Sequence, residues 1–345
     1  MNEKLKPIIT TIIPTYRRPK LLKKAINSVL KQTYPNFQVC VYDNASGDDT
    51  ASVVAEIAKA DHRVKYYCHA ENIGGVNNFQ YGLEHVETPF FSFLADDDLI
   101  FPEFYETALV GFESFPESMF SATDVIHMDM QGNILNSVLE TWTPGFYRPP
   151  DGLRAVLKHG HSEWTGILFR KEVIDNVGLL DPTIWCMDLD FTLRIAARYP
   201  FVVSKRPGAT FQIDAKQYVI PFDIRWSGWL KMIQHLAEDK NLSVYVRADA
   251  ERILWAKFEK TLFKVGVGYL NRGYPVDAKK VAVVLRNRFG RFGQYLALSA
   301  IISTCKYVPF ARLALSRFVV CYIYILDQFI KSKKKQYRNL RSYLD

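Results

Sequence analysis

Cysteine is scarce in this chain: Cys40, Cys68, Cys186, Cys305 and Cys321 lie far apart, with no CxxC pair among 345 residues. An odd, scattered set of this kind argues against a disulfide framework and a cysteine zinc site, and fits reduced cytosolic thiols. Long apolar runs are missing too. The longest near the end, Phe318 to Ile330, contains Asp327 and falls short of the roughly 20 residues a membrane-spanning helix needs. Met1 to Lys6 is polar and leads straight into a strand pattern, so no signal peptide is expected. There is no GxxxxGK[ST] phosphate loop and no GxSxG elbow, and Gly266-Val267-Gly268 lacks the third glycine of a dinucleotide fingerprint. Pro14-Thr15-Tyr16-Arg17 carries no glycine, which counts against a sugar-nucleotide pyrophosphorylase. No recognisable nucleic-acid module accompanies the basic residues, so no nucleic-acid partner is expected.

What is present is a junction of apolar chain and charge. Phe90-Phe91-Ser92-Phe93-Leu94-Ala95 reads as a buried strand, and Asp96, Asp97 and Asp98 follow it directly. Open α/β sheets place ligands at such strand ends. Three adjacent carboxylates repel one another unless a cation or a donor-rich ligand neutralises them. Clustered carboxylate oxygens suit Mg²⁺ or Mn²⁺, which keep positions open for substrate phosphates. The alternative is a solvated acidic turn before a helix starting near Pro102.

The front half alternates strands and helices. Ile8 to Ile13 is a β-branched run stopped by Pro14, and Pro19 opens a helix in which Leu21, Leu22, Ala25, Ile26, Val29 and Leu30 recur at helical spacing. Strands at Phe37 to Tyr42 and Val64 to Cys68 and helices at Ser52 to Ala60 and Asn77 to His85 continue the β-α-β order. The spacing then predicts irregular chain over 119–170, apart from a helix at Leu153 to Lys158 and a strand at Gly166 to Phe169. A helix over Asp188 to Arg198 and a strand over Phe201 to Lys205 follow. From about Arg225 the pattern becomes helical and rich in Trp, Tyr, Phe, Lys and Arg. The formal charge is −7 over residues 1–224 and +15 over 225–345, so the rear segment is suited to an anionic partner.

Five pieces in register resemble the inverting family 2 glycosyltransferases of GT-A fold, over roughly residues 7–215. They are Ile12-Ile13-Pro14-Thr15-Tyr16-Arg17-Arg18, Asn27 to Tyr34, Val41 to Thr50, Asn72-Ile73-Gly74-Gly75 and Phe93 to Asp98. The resemblance implies an α/β GT-A nucleotide-sugar-binding domain, 1–224, with a mainly parallel mixed sheet. A basic α-helical region, 225–345, follows it. The implied reaction is metal-dependent inverting transfer from a nucleoside-diphosphate sugar, UDP- or dTDP- favoured, to a hydroxyl of a glycan or lipid-linked acceptor in cell-surface polysaccharide synthesis. The alternative is a non-catalytic peripheral membrane protein that keeps the transferase fold.

Site residues carry over one by one. Asp43 matches the residue that reads uracil or thymine, although an Asx turn onto Ser46 would also use it. Pro14, Thr15, Tyr16 and Arg18 line the same edge, with helix capping as the other role for Thr15. Gly74, Gly75 and Asn78 allow backbone to approach a diphosphate, or form a plain turn. Asp97 falls at the usual metal ligand of the DxD element and Asp96 near the ribose, with Asp98 a further candidate, so the metal ligands are left open among Asp96, Asp97 and Asp98; the implied cofactor is Mn²⁺ or Mg²⁺.

Met187-Asp188-Leu189-Asp190 matches a Glu-Asp-x-Asp pattern with Met187 in place of the Glu, so Asp188 falls on the catalytic base. Asp188 and Asp190 equally suit a helix N-terminus. Phe211-Gln212-Ile213-Asp214 stands where relatives carry Tyr-Arg-x-His, making Asp214 an alternative oxygen ligand or a surface residue. His159 and His161 lack a third metal ligand at suitable spacing and read as ordinary. Trp164 is a candidate sugar-stacking platform. In the rear segment, Trp226, Trp229, Trp255, the apolar stretch Tyr307 to Ile330 and the basic tail Lys331 to Arg341 suit docking on an anionic membrane from the cytoplasmic side. Packing on the catalytic domain or on a second subunit would use the same helices.

Overall fold

The computed structural model describes residues 8–213 and 219–307. These divide into two compact units, one of residues 8–182 and 186–213, the other of 183–185 and 219–307.

The first unit is an α/β sheet built outward from its N-terminal strand. Strand β1 (Ile9–Thr15) is buried along its whole length. It is followed by α1 (Pro19–Leu30), which opens on proline and buries Leu22, Ala25, Ile26 and Val29. Burying a side chain of the Leu or Ile type contributes about 1.5–3 kcal/mol, so this stripe fixes which helix face meets the sheet. Strand β2 (Phe37–Asp43), α2 (Thr50–Ala60), β3 (Val64–Cys68), α3 (Gly75–Glu84) and β4 (Phe90–Phe93) continue the alternation. The four strands lie in the order β3-β2-β1-β4, all parallel. Thr15 is in register with Asp43, and Ile12 with Phe93. Parallel pairing in this register gathers the C-terminal ends of three strands at one edge, where Thr15, Asp43 and the aspartates follow.

Beyond β4 the sheet changes character. A short β5 (Leu99–Ile100), α4 (Phe104–Ser114), β6 (Phe120–Asp129), β7 (Ile134–Ser137) and β8 (Gly145–Tyr147) come next in the chain. Then follow α5 (Asp151–His159), a 3₁₀ turn at Trp164–Gly166, β9 (Ile167–Arg170), α6 (Glu172–Val177), α7 (Met187–Arg198) and β10 (Phe201–Ile213). The sheet order continues from β4 through β9, β6 and β10 to β5. β9 is antiparallel to both its neighbours, and β10 is parallel to β6. Parallel pairing therefore dominates the first four strands, and the far half is mixed.

Two sequence expectations need correction. The stretch expected to be irregular over 119–170 contains the ten-residue β6. Its polar residues hid the strand, and tertiary partners satisfy them: Asp124 accepts from the Ser137 hydroxyl and from the Leu139 N–H at 2.9 Å. The strand expected to end at Lys205 runs on to Ile213, through a register shift around Pro207.

The second unit is helical: α8 (Phe222–Ala237), α9 (Val244–Asn271), α10 (Pro275–Asn287) and α11 (Phe292–Tyr307). Ser243 caps α9 by accepting from the Val246 N–H. Trp229 is buried and stacked on Phe258 at 4.4 Å, and half-buried Trp226 packs against Trp255. These rings, expected at a membrane surface, hold the helices of this unit together. Gly266 is explained by packing as well, since a Cβ there would meet Leu298 at 2.5 Å. No helix among the described residues is long and apolar enough to cross a membrane. Asp214, the tail Lys331 to Arg341 and Phe318 to Ile330 lie outside the described residues.

Candidate active site

The edge formed by the ends of β1, β2 and β4 carries most of the residues singled out in the sequence. Thr15, at the end of β1, donates its hydroxyl to Asp96 Oδ2 at 2.7 Å. Arg18, half exposed at the start of α1, reaches both Asp96 Oδ1 (3.2 Å) and Asp97 Oδ2 (2.8 Å). Asp96 is buried, and burial pushes its carboxyl above the usual range against the pull of Thr15 and Arg18. Asp97 is the more open of the pair, with 29% of its side chain exposed. Two hard-oxygen carboxylates bridged by one half-exposed guanidinium fit Mg²⁺ or Mn²⁺, which use one or two protein carboxylates and fill the rest of the sphere with phosphate and water.

Asp98 faces the other way. It is 1% exposed and accepts from the Thr165 hydroxyl (2.8 Å) and the Gln212 N–H (2.8 Å). Burial pushes its carboxyl well above the ordinary value despite those two donors. The structure brings Asp98 to the same junction as its neighbours but turns it inward, where it ties the end of β4 to the 3₁₀ turn and to β10.

Asp43 lies buried at the end of β2. Its Oδ1 accepts from the Ser46 N–H (2.9 Å) and hydroxyl (2.5 Å), and its Oδ2 accepts from the Tyr66 hydroxyl at 2.6 Å. The Asx turn onto Ser46 is therefore formed, and a carboxylate with about four acceptor directions keeps one for a ligand. Ser46 also anchors the first loop, accepting from the Arg17 N–H through Oγ (2.8 Å) and from Arg17 Nε through its carbonyl (3.1 Å). Arg17 is held there at φ +56°, a left-handed backbone that a non-glycine residue keeps only when its surroundings fix it. Tyr16 beside it is 38% exposed, and Pro14 is buried opposite Tyr42 in the sheet.

Gly74 has φ +85° and open space where a Cβ would stand, immediately before α3. Asn78 is buried, its amide committed to the Tyr42 carbonyl (2.8 Å) and the His69 ring (2.9 Å). It braces the end of β2 and has no amide hydrogen bond directed at the open edge.

The second group of chemistry-bearing residues gathers around α7. Asp188 and Asp190 both stand in its first turn, where the helix dipole favours negative charge. Asp190 is buried and paired with Arg194 at 2.9 Å, and that guanidinium is itself fixed by the Val177 and Leu179 carbonyls. Asp188 keeps a third of its side chain exposed and faces His161 Nε2 at 3.5 Å. Crowding by protein raises its carboxyl above the ordinary value, with His161 opposing the rise and Glu163 adding to it. Glu163 is set against His127 Nε2 at 3.4 Å. Although burial alone would push the Glu163 carboxyl up, His127 and His161 outweigh it and hold the group below its usual value.

The sequence reading of this region needs two changes. His161 is no ordinary surface histidine: its ring nitrogen, Glu163 and Asp188 lie within 4.8 Å of one another. Trp164 is buried, with its ring stacked on Phe93 at 4.3 Å, so it serves the core and offers no face to a sugar. Glu163 stands out in the sequence only as the neighbour of Trp164 before β9, with no spacing that ties it to Asp188. Residues 161–165 join the two groups, with His161 and Glu163 directed to Asp188 and Thr165 to Asp98.

Residues 10–178 match the family described as Glycosyl transferase family 2. A stretch of 93 residues is 40% identical to the GalNAc(5)-diNAcBac-PP-undecaprenol beta-1,3-glucosyltransferase of Campylobacter jejuni, covering 27% of this chain and 30% of that protein. An uncharacterized glycosyltransferase of Nostoc sp. is 26% identical over 187 residues, 51% of this chain and 55% of that one. These matches span well under two thirds of either relative's length. Among solved structures, S. aureus TarS 1-349 overlays with a TM-score of 0.63 at 15% identity, covering 87% of this chain and 91% of that chain. It has also been solved with UDP and with UDP-GlcNAc. A Pyrobaculum calidifontis mannosyltransferase in complex with GDP-Man and Mn²⁺ overlays at 0.52 with 16% identity, covering 95% and 87% of the two chains.

Proposed function

Residues 10–178 belong to glycosyl transferase family 2, and we propose that the chain is a metal-dependent inverting enzyme moving a sugar from a UDP- or dTDP-sugar to a hydroxyl of a glycan or lipid-linked acceptor. The observation that carries this reading is a pair of partly exposed carboxylates, Asp97 beside Arg18 and Asp188 beside His161, with residues 161–165 meeting both Asp188 and Asp98, the neighbour of Asp97. Inversion needs one displacement at the anomeric carbon. The acceptor oxygen attacks, the bond to the diphosphate oxygen breaks, and the acceptor's proton passes to Asp188. Asp190 is unsuited to that work because Arg194 already holds it.

Asp97, with Asp96 beside it, would hold Mn²⁺ or Mg²⁺. When bound, the ion supplies neutralising charge to the departing nucleoside diphosphate. Asp96 also supports the ribose side of the site in this reading, and Asp43 offers its remaining acceptor direction to a pyrimidine ring N–H. Thr15, Pro14 and Tyr16 shape the same edge, and Gly74 leaves room for phosphate. Asp98 and Asn78 act by holding the backbone in place.

A UDP donor agrees with the complexes known for TarS, and a lipid-linked acceptor with the substrate of the C. jejuni relative. GDP-Man in the mannosyltransferase structure makes donor choice the point to measure. Titration calorimetry with Mn²⁺ should detect UDP or dTDP binding and little with CDP or GDP. Chelation of the metal should abolish that binding heat and sugar transfer together. Selective GDP binding would overturn the donor assignment.

The +15 charge of residues 225–345 leads us to propose attachment to an anionic membrane surface, where a lipid-linked acceptor would be presented. Basic residues near such a surface contribute about 1 kcal/mol each. The protein should float with anionic liposomes at low salt and be released at high salt. A truncation lacking residues 318–345 should stay in the soluble fraction while still binding nucleotide, and its undiminished flotation would refute the attachment.

A further inference from the structure

We propose that His161 is a positioning residue for the base: it stands as an imidazolium between the Asp188 and Glu163 carboxylates and keeps Asp188 ionised and aimed at the acceptor. The inference rests on the reading of Asp188 as the base, and it adds a residue that the family pattern around Met187 does not contain.

Geometry carries it first. His161 Nδ1 is 2.5 Å from the Ser162 carbonyl oxygen. A carbonyl only accepts, so Nδ1 carries the hydrogen. In a neutral ring Nε2 would then be a bare lone pair, and it faces Asp188 Oδ2 at 3.5 Å. A lone pair against a carboxylate is repulsive; a proton on Nε2 turns the contact into an ion pair. The separation exceeds a normal hydrogen bond of about 2.7–3.2 Å, so charge contributes more here than bonding direction.

The surroundings point the same way. Glu163 and Asp188 share one small volume with the His161 ring, and like charges so close ionise together only with a cation among them. Among the described residues no lysine or arginine pairs with either carboxylate; the neighbours are His161 and, for Glu163, His127 on β6. On α7 itself Asp190 is turned to Arg194, and Asp98 lies beyond Thr165. His161 is thus the basic side chain set directly against Asp188. His127 uses Nδ1 toward Asn136 and so presents Nε2 to Glu163.

Without His161, Asp188 would keep the crowding and the Glu163 charge that raise its carboxyl and lose the group that opposes them. The acid limb of the kcat/KM profile, which reports the base in the free enzyme, should move to higher pH in His161→Gln. A displacement of roughly one pH unit is about a tenfold loss in mildly acidic buffer, recovered in alkaline buffer. Glu163→Gln, which removes the like charge, should move the limb the opposite way. Nitrogen-15 spectra of histidine-labelled wild-type protein at neutral pH should show both His161 ring nitrogens protonated. An equal loss at every pH in His161→Gln, or an unprotonated Nε2, would overturn the proposal. So would stoichiometric Zn²⁺ uptake by wild type that His161→Gln abolishes, since the three groups would then be ligands of a metal. Full activity of Asp188→Asn would instead remove the base assignment, and the spectra would still report on His161.

Discussion

Replacing Asp188 with asparagine is expected to lower the transfer rate by about 10²–10⁴-fold, the usual contribution of a general base, while donor affinity stays unchanged. Asparagine keeps the size of the side chain and its place in the first turn of α7 but cannot take a proton. In the proposed reading the donor is held at the other group of residues, so calorimetry with UDP or dTDP should not register the change. Asp190→Asn is the control, one half-turn away. It removes the charge paired with a buried Arg194 at 2.9 Å, and breaking a buried pair costs about 3–5 kcal/mol. Its expected effect is a lower melting temperature, with the remaining folded enzyme turning over. If Asp190→Asn loses the chemistry and Asp188→Asn keeps it, the base has been placed on the wrong residue.

Asp97→Ala should abolish metal-supported donor binding and reduce transfer by at least about 100-fold, the upper end of what even outer-shell metal partners cost. Because Asp97 is partly exposed, its removal should leave stability within about 0.5 kcal/mol. Asp98→Ala, one residue on, should divide the other way. It leaves the Thr165 hydroxyl and the Gln212 N–H buried without their acceptor, a loss of about 2 kcal/mol. Asp98→Asn, which retains an acceptor of the same size, should restore most of that stability. Manganese titration alongside thermal melting separates the two aspartates. Loss of Mn²⁺ binding in Asp98→Asn at unchanged stability would return Asp98 to the metal site.

The halves of the fold differ in how far the sequence revealed them. β1 to β4 and α1 to α3 carry local signals: β-branched or aromatic runs, proline at a helix start, apolar residues at helical spacing. β6 carries none, because its buried Ser121, Thr123 and Asp124 interrupt the apolar pattern. The Gly166 carbonyl, which accepts from Thr123, and Ser137 and the Leu139 N–H, which donate to Asp124, satisfy two of those three residues through partners distant in sequence. The same division runs through the site. Asp43, Asp96 and Asp97 follow strand ends, which a pattern can find. His161 and Glu163 lie against a residue about 25 positions later, and no periodicity joins them. Trp164 was misleading for a related reason, since only the position of Phe93 distinguishes a core indole from an exposed platform.

The inward turn of Asp98 also bears on the order in which the molecule is made. One carboxylate closes two loops, to a residue 67 positions away and to another 114 positions away. Closing such spans costs chain entropy before any contact repays it. Until residue 212 has been synthesised and has joined the sheet, Asp98 is a charge entering the interior with half its donors missing. The aspartate edge therefore cannot be finished by the first hundred residues as they leave the ribosome. It is completed together with the last strand, so a nascent chain stopped short of β10 would carry Thr15, Asp43 and the aspartates without the frame that holds them.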